Sequence, residues 1–154
     1  MSKRDKLEKQ AAGAAAAEPA KCVFCMIIDG ELPSRRIYED DRCVAFLDIA
    51  AWHRGHTLVV TKRHIPDLLS GEPSLVTLAP AVDAVSRMLM HRLAADGINV
   101  LSSARDIAGQ TVFHMHMHVV PRYADEPGLE RLVNPVVVPD GELESVYRQI
   151  QAGA

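Results

Sequence analysis

Residues 113–120 read FHMHMHVV. Imidazole rings and apolar side chains alternate with a period of two, and an extended strand is the element that sorts that period onto two faces. His114, His116 and His118 then share one face, with successive rings about 6.6 Å apart at Cα. Phe113, Met115, Met117 and Val119 share the other, which is apolar and packs on a core. A solvated face could carry Lys, Thr or Glu as easily as His, and a buried ring needs a partner. Three imidazoles in register therefore point to a site.

Two chemistries use such an arrangement. One is metal binding by several imidazoles. The other is nucleophilic catalysis by one imidazole held by its neighbours. Histidine suits attack on phosphorus, because one ring nitrogen can attack while the other keeps its proton in a fixed hydrogen bond. The preceding loop carries Gly109, Gln110 and Thr111, which offer N–H groups, an amide and a hydroxyl to a phosphate.

Cys22 and Cys25 form a C-x-x-C. A redox pair of this kind calls for a βαβ setting, and none is visible around it. A metal needs two further ligands, to be sought among His53, His56, His64, His91 and the three rings at 114–118. His56 and His64 stand eight residues apart across a strand pattern, about 26 Å if extended. His114 and His118 are about 13 Å apart by the same measure. Neither pair can share one metal, so the two ends of each strand have different tasks. His91 lies within a helix pattern and His53 in a connection, and both read as surface residues. The third cysteine, Cys43, falls in the apolar run CVAFLDI and reads as a small buried hydrophobe.

The rest of the chain supplies strands and one long helix. CVFCMII is a short helix or turn, RIYED and CVAFLDI form a hairpin, and HTLVVTK is a β-branched strand. IPDLLSGEP reads as a helical turn broken by Gly71 and Pro73. Leu75, Leu78, Val82, Val85, Leu89 and Leu93 recur at three- and four-residue steps, which predicts an amphipathic helix over 74–96. Pro80 kinks it or marks its start, and Gly97 stops it. INVLSS is a strand, ARDIAGQ a loop, and TVFHMHMHVVP a strand ended by Pro121. The order predicts an α+β fold on a mainly antiparallel sheet. Residues 1–20 read as a disordered or partly helical tail, 21–125 as the domain, and 126–154 as an extension with a short helix at GELESVYRQI. A net charge of −3 argues against a broad nucleic-acid footprint. No apolar run reaches the roughly 18 residues of a membrane span, and an odd cysteine count argues against a disulfide framework. The expected setting is the cytoplasm.

The stretch His114-Met115-His116-Met117-His118-Val119-Val120 resembles the signature of the histidine-triad (HIT) superfamily. Cys22-Val23-Phe24-Cys25, ELPSRRIYED, AFLDI, Arg54-Gly55-His56, Lys62-Arg63-His64, Asp96-Gly97-Ile98-Asn99 and Gly109-Gln110-Thr111 resemble bacterial members in the same order, over roughly residues 22 to 123. The resemblance implies a HIT-like fold: a five-stranded antiparallel sheet with one long and one short helix, paired as a homodimer with sheets associated across the interface. It implies hydrolysis or transfer at the α-phosphate of purine nucleotide conjugates, among them phosphoramidates, aminoacyl-adenylates and dinucleoside polyphosphates.

By the same resemblance, His116 attacks phosphorus and forms a nucleotidyl-histidine. His118 bonds phosphate oxygens, and His56 supports the site. Asp48 holds the ribose hydroxyls, Ile49 packs beside the base, and Gln110 and Thr111 contact the phosphate and leaving group. Ser103 stands where many relatives carry an Asn that touches phosphate. Zinc-containing members imply a structural zinc on Cys22, Cys25, His64 and His114. If the strands at 56–62 and 115–120 pair antiparallel, His64 meets His114 at one end and His56 falls near His118 at the other. Two alternatives stay open, a nucleotide-binding regulatory module with weak turnover and a dinucleoside polyphosphate phosphorylase.

Overall fold

The computed structural model describes residues 22–70, 74–126, 128, 139–141 and 145. The tail at 1–20 and nearly all of the helix expected over 141–150 lie outside the described residues. The elements are α1 (Val23–Ile28), β1 (Arg36–Glu39), β2 (Cys43–Leu47), β3 (Thr57–Thr61), α2 (Ser74–Leu93), β4 (Gly97–Leu101), a 3₁₀ turn (Asp106–Ala108) and β5 (His116–Arg122). The strands form one antiparallel sheet in the order β1-β2-β3-β5-β4. The last of the described strands is thus inserted between β3 and β4.

Alternation divides each strand between two helices. Cys43, Ala45, Val59, Met115 and Val119 face one side of the sheet, where Leu78, Ala81, Val85 and Leu89 of α2 pack on them. Those helix residues sit at three- and four-residue spacing and are all nearly inaccessible. Val44, Phe46, Leu58 and Val60 face the opposite side and pack against Cys22, Phe24 and Ile27 from α1 and its approach. The expected methionine face is therefore the α2 face, with Met117 packed on the same cluster. Phe113 stays half-buried outside it.

Several boundaries differ from the sequence reading. Leu75, expected in the helix stripe, is 47% exposed, and Ala81 takes a core position instead. Pro80 lies inside α2 as its seventh residue. It sits on the exposed side, where water can satisfy the Val76 carbonyl that loses its N–H partner. The helix ends at Leu93, and Ala94 takes the left-handed turn (φ 50°) expected of Gly97. Gly97 instead opens β4 opposite Arg122. In place of a helical turn, 67–70 is a turn tied by Asp67, whose Oδ1 accepts from the Leu69 N–H and the Ser70 hydroxyl at 2.8 Å each. The 111–121 strand begins only at His116 and runs through Pro121. β3 pairing stops at Val119, so β5 is open on that flank where Pro121 sits.

Candidate active site and metal cluster

The β3–β5 register places Leu58 opposite His118 and Val60 opposite His116. His56 lies just before β3, His64 just beyond its end, and His114 just before β5. The register therefore brings His56 to His118 at one end of the strand pair and His64 to His114 at the other. Two groups of ligand-type side chains result: Asp48, His56 and His118, and Cys22, Cys25, His64 and His114.

The hydrogen bonds assign each ring a tautomer. The main-chain N–H of Trp52 donates to His56 Nδ1 at 3.1 Å. A neutral His56 then carries its proton on Nε2, which lies 2.9 Å from His118 Nδ1 and donates to it. His118 in turn keeps its proton on Nε2. His116 Nδ1–H donates to the His114 carbonyl at 2.5 Å, which leaves Nε2 bare. Two neighbouring rings thus present opposite chemistry, a lone pair on His116 and an N–H on His118, with ring centres 5.0 Å apart.

Electrostatics keep these rings neutral. Burial pushes His118 down to about 4, with His116 and His56 adding to the effect and the Asp48 carboxylate opposing it. Burial also lowers His116, against the pull of the His114 carbonyl and of Asp48. His56 is lowered for the same first reason, and its Nε2 stands 3.7 Å from Asp48 Oδ2. A neutral imidazole is what a nucleophile requires.

His116 and His118 open onto a cleft of about 840 Å³. Phe24 and Ile27 of α1, with Phe46 and Leu58 of the sheet, form its apolar part, and Asp48, Ser34 and Arg35 add polar groups. Phe24 meets the His116 ring edge-on at 5.2 Å. An apolar floor with a few convergent polar groups is the form of a small-molecule site.

The sequence-derived candidates divide around this cleft. His116, His118, Asp48, Ile49 and Thr111 line it, with Ile49 96% exposed at its rim. Ser103 is half-buried and not in the lining. Gln110 is buried with its amide committed to the main chain. Its Nε2 donates to the carbonyls of Pro66 (2.7 Å) and Val112 (3.0 Å), and its Oε1 accepts the Arg105 N–H (2.7 Å). A phosphate contact would require breaking those bonds, so Gln110 shapes the loop rather than facing the cleft. Three contributors escaped the sequence reading. Trp52 stacks on the His56–His118 pair. Ser102 donates its hydroxyl to the His116 carbonyl at 2.7 Å. Arg35 lines the cleft while its neighbour Arg36 is bonded to the Ile27 and Ile28 carbonyls and to Glu39. A tryptophan one turn ahead of Gly55-His56 was the available signal for the first.

At the far end, the four ligand atoms of the cysteine–histidine group all lie within 4.8 Å of one another. His114 Nδ1 is 3.4 Å from Cys22 Sγ and 3.5 Å from Cys25 Sγ, and His64 Nδ1 is 3.3 Å from Cys25 Sγ. A tetrahedral ion with Zn–S near 2.3 Å and Zn–N near 2.0 Å sets S···N separations of about 3.5 Å. His114 donates Nε2–H to the Thr61 carbonyl at 2.7 Å, which turns its bare Nδ1 toward the sulfurs. Burial, with Cys22 beside it, pushes the Cys25 thiol up to about 12. Two adjacent thiolates need a cation, and the donor set fits one.

The HIT domain family pattern matches residues 29–125. The chain belongs to the HIT family. This HIT protein is 41% identical over 108 residues to Protein hit of Bacillus subtilis, covering 70% of this chain and 74% of that one. It is 39% identical over 102 residues to the Arabidopsis thaliana protein called adenylylsulfatase HINT3, covering 66% of this chain and 52% of the other. Among solved structures, a Streptococcus mutans protein superposes with a TM-score of 0.74 at 36% identity, over 86% of this chain and 84% of that one. A Sulfolobus tokodaii protein described as a hypothetical histidine triad nucleotide-binding protein gives 0.65 at 34% identity, over 77% and 78%. The five-stranded antiparallel sheet with two helices is the fold of these HIT proteins. No helix among the described residues is long and apolar enough to cross a membrane.

Proposed function

We propose that this HIT protein cleaves purine nucleotide conjugates at the α-phosphate through a covalent nucleotidyl-His116. The observation that carries this reading is the His116 Nδ1–H bond to the His114 carbonyl, which presents a bare Nε2 to the cleft beside a His118 N–H. Nε2 attacks phosphorus, and the leaving group departs with the electron pair of its bond. His118 Nε2–H donates to a phosphate oxygen and stabilises the charge that develops there. Water then attacks the same phosphorus, and His116 leaves as the nucleoside monophosphate is released. Asp48 takes the ribose hydroxyls, and the base lies against Phe24, Ile27, Phe46 and Leu58 with Ile49 at the rim. Thr111 serves the phosphate end. The names given to the Arabidopsis and Sulfolobus relatives agree with nucleotide chemistry.

The same reading gives zinc to Cys22, Cys25, His64 and His114. These four side chains leave no position for water, so the ion is structural. It fixes α1, whose Phe24 and Ile27 form one wall of the cleft. The reading also includes a homodimer through α2 and the β4 edge, where Leu75, Val76, Met90 and Val100 are exposed. A cytoplasmic setting agrees with three cysteines that form no disulfide.

The test is turnover of adenosine phosphoramidate, aminoacyl-adenylate and dinucleoside polyphosphates, each with and without added phosphate. His116→Ala and His116→Asn abolish turnover while retaining nucleotide binding, and wild-type protein quenched in mid-reaction carries a nucleotidyl adduct by mass spectrometry. Wild-type rates in His116→Ala would overturn the mechanism. Release of nucleoside diphosphate when phosphate is added would make the chain a phosphorylase.

A further inference from the structure

Trp52 is the one tryptophan in the chain, and it lies in the connection between β2 and β3. Its indole stacks on two imidazoles at once. The ring centre is 4.8 Å from His56 with planes 27° apart, and 4.8 Å from His118 with planes 18° apart. The same residue's N–H sets the His56 tautomer. Trp52 is 45% exposed and does not line the cleft, so neither core packing nor nucleotide contact accounts for it.

We infer that Trp52 is a positioning residue that fixes the plane of the His56–His118 pair and so aims the His118 N–H at the phosphate. This inference rests on the functional reading above. Among the described residues the His118 ring has one hydrogen bond, at Nδ1. A single bond leaves an imidazole free to tilt, because the torsion that turns the ring is broad. A flip would put a carbon where Nδ1 stands. The indole lies nearly parallel over His118 and restricts that tilt. It also bridges to His56, so donor and acceptor move as one body. Phosphate stabilisation depends on where the N–H points, and misplacement of about 1 Å costs roughly a hundredfold in rate.

Trp52→Ala removes the ring and keeps the main-chain N–H, so it isolates the stack. Half-exposure of the side chain makes a folded variant the expected product, checked by circular dichroism. In steady-state turnover of adenosine phosphoramidate, kcat falls roughly tenfold to a hundredfold, KM changes far less, and Trp52→Phe recovers most of the loss. In substrate-free protein, ¹⁵N shifts of the His118 ring report a single Nε2–H tautomer in wild type and a mixture in Trp52→Ala. An unchanged kcat in Trp52→Ala, or a rise in KM alone, overturns the inference. If wild-type protein turns over no substrate of the panel, the functional reading fails. The ¹⁵N measurement then decides the stack by itself, and unchanged His118 shifts in Trp52→Ala overturn it.

Discussion

His56 Nε2, on a ring 1% exposed, lies 2.9 Å from Nδ1 of the half-buried His118 across the β3–β5 strand pair. On the proposed reading the buried partner holds the working one, because the His56 proton dictates which nitrogen of His118 carries its own. Replacing His56 by Ala leaves His118 Nδ1 unpaired and both tautomers accessible. We expect kcat to fall about tenfold to a hundredfold while nucleotide affinity, measured by calorimetry, stays close to that of the wild type. A large loss of affinity with kcat preserved would contradict this division of labour.

Removal of the ion should loosen the wall of the cleft as well as the fold. One zinc per chain is expected by elemental analysis. Cys22→Ser or chelation should lower Tm by on the order of 10 °C and weaken nucleotide binding, since Phe24 belongs to both the segment proposed to hold the metal and the pocket. Metal-free protein with an unchanged Tm would rule out the structural role.

The depressed imidazoles set the direction of the pH dependence. His116 is below its ordinary 6.5 and His118 is at about 4, both first through burial. The kcat/KM profile should therefore stay flat through 6.5 and fall only at lower pH. The folded protein takes up fewer protons than the unfolded chain over this range, so stability present above 6.5 declines as pH falls toward about 4. Asp48 is the charge that holds these rings up, and Asp48→Asn should move the acid limb to still lower pH. An inflection at 6.5 in the wild type would show the rings to be solvated.

Gly55 precedes His56 with φ +82°, and a Cβ there would stand 2.3 Å from Leu93 Cδ1 and 3.2 Å from Pro121 Cγ. Gly55→Ala combines left-handed strain with a clash against the end of α2. Chemical denaturation should show a loss of about 1–3 kcal/mol. Turnover should fall too, because the displaced segment carries His56 and Trp52.

The period of two at 114–118 made the working face and the packing face legible, and the strand distances separated the two ends before any pairing was known. The family resemblance then named both clusters. Other features depend on geometry that spacing does not encode. Gln110 turns inward because Arg105, at φ 74°, presents its N–H to the amide. His114 stands outside β5, since its own N–H donates to the Val112 carbonyl and the Met115 N–H to that of Ile65. Ala94, an exposed non-glycine residue at φ 50°, follows the last residue of α2 where Gly97 was expected to stop the helix, and the spacing of apolar residues does not encode that turn. The Trp52 stack arises from a loop conformation, and no periodic signal announces it.

β5 comes last in sequence among the described strands yet lies inside the sheet, between β3 and β4. During synthesis the earlier strands must wait with that slot unfilled until residue 122 has emerged. A product that stops short of His116 lacks both the proposed nucleophile and β5, which joins β3 to β4. On the proposed reading, chemical competence and structural completion arrive together, and a chain truncated before His116 should be inert as well as unstable.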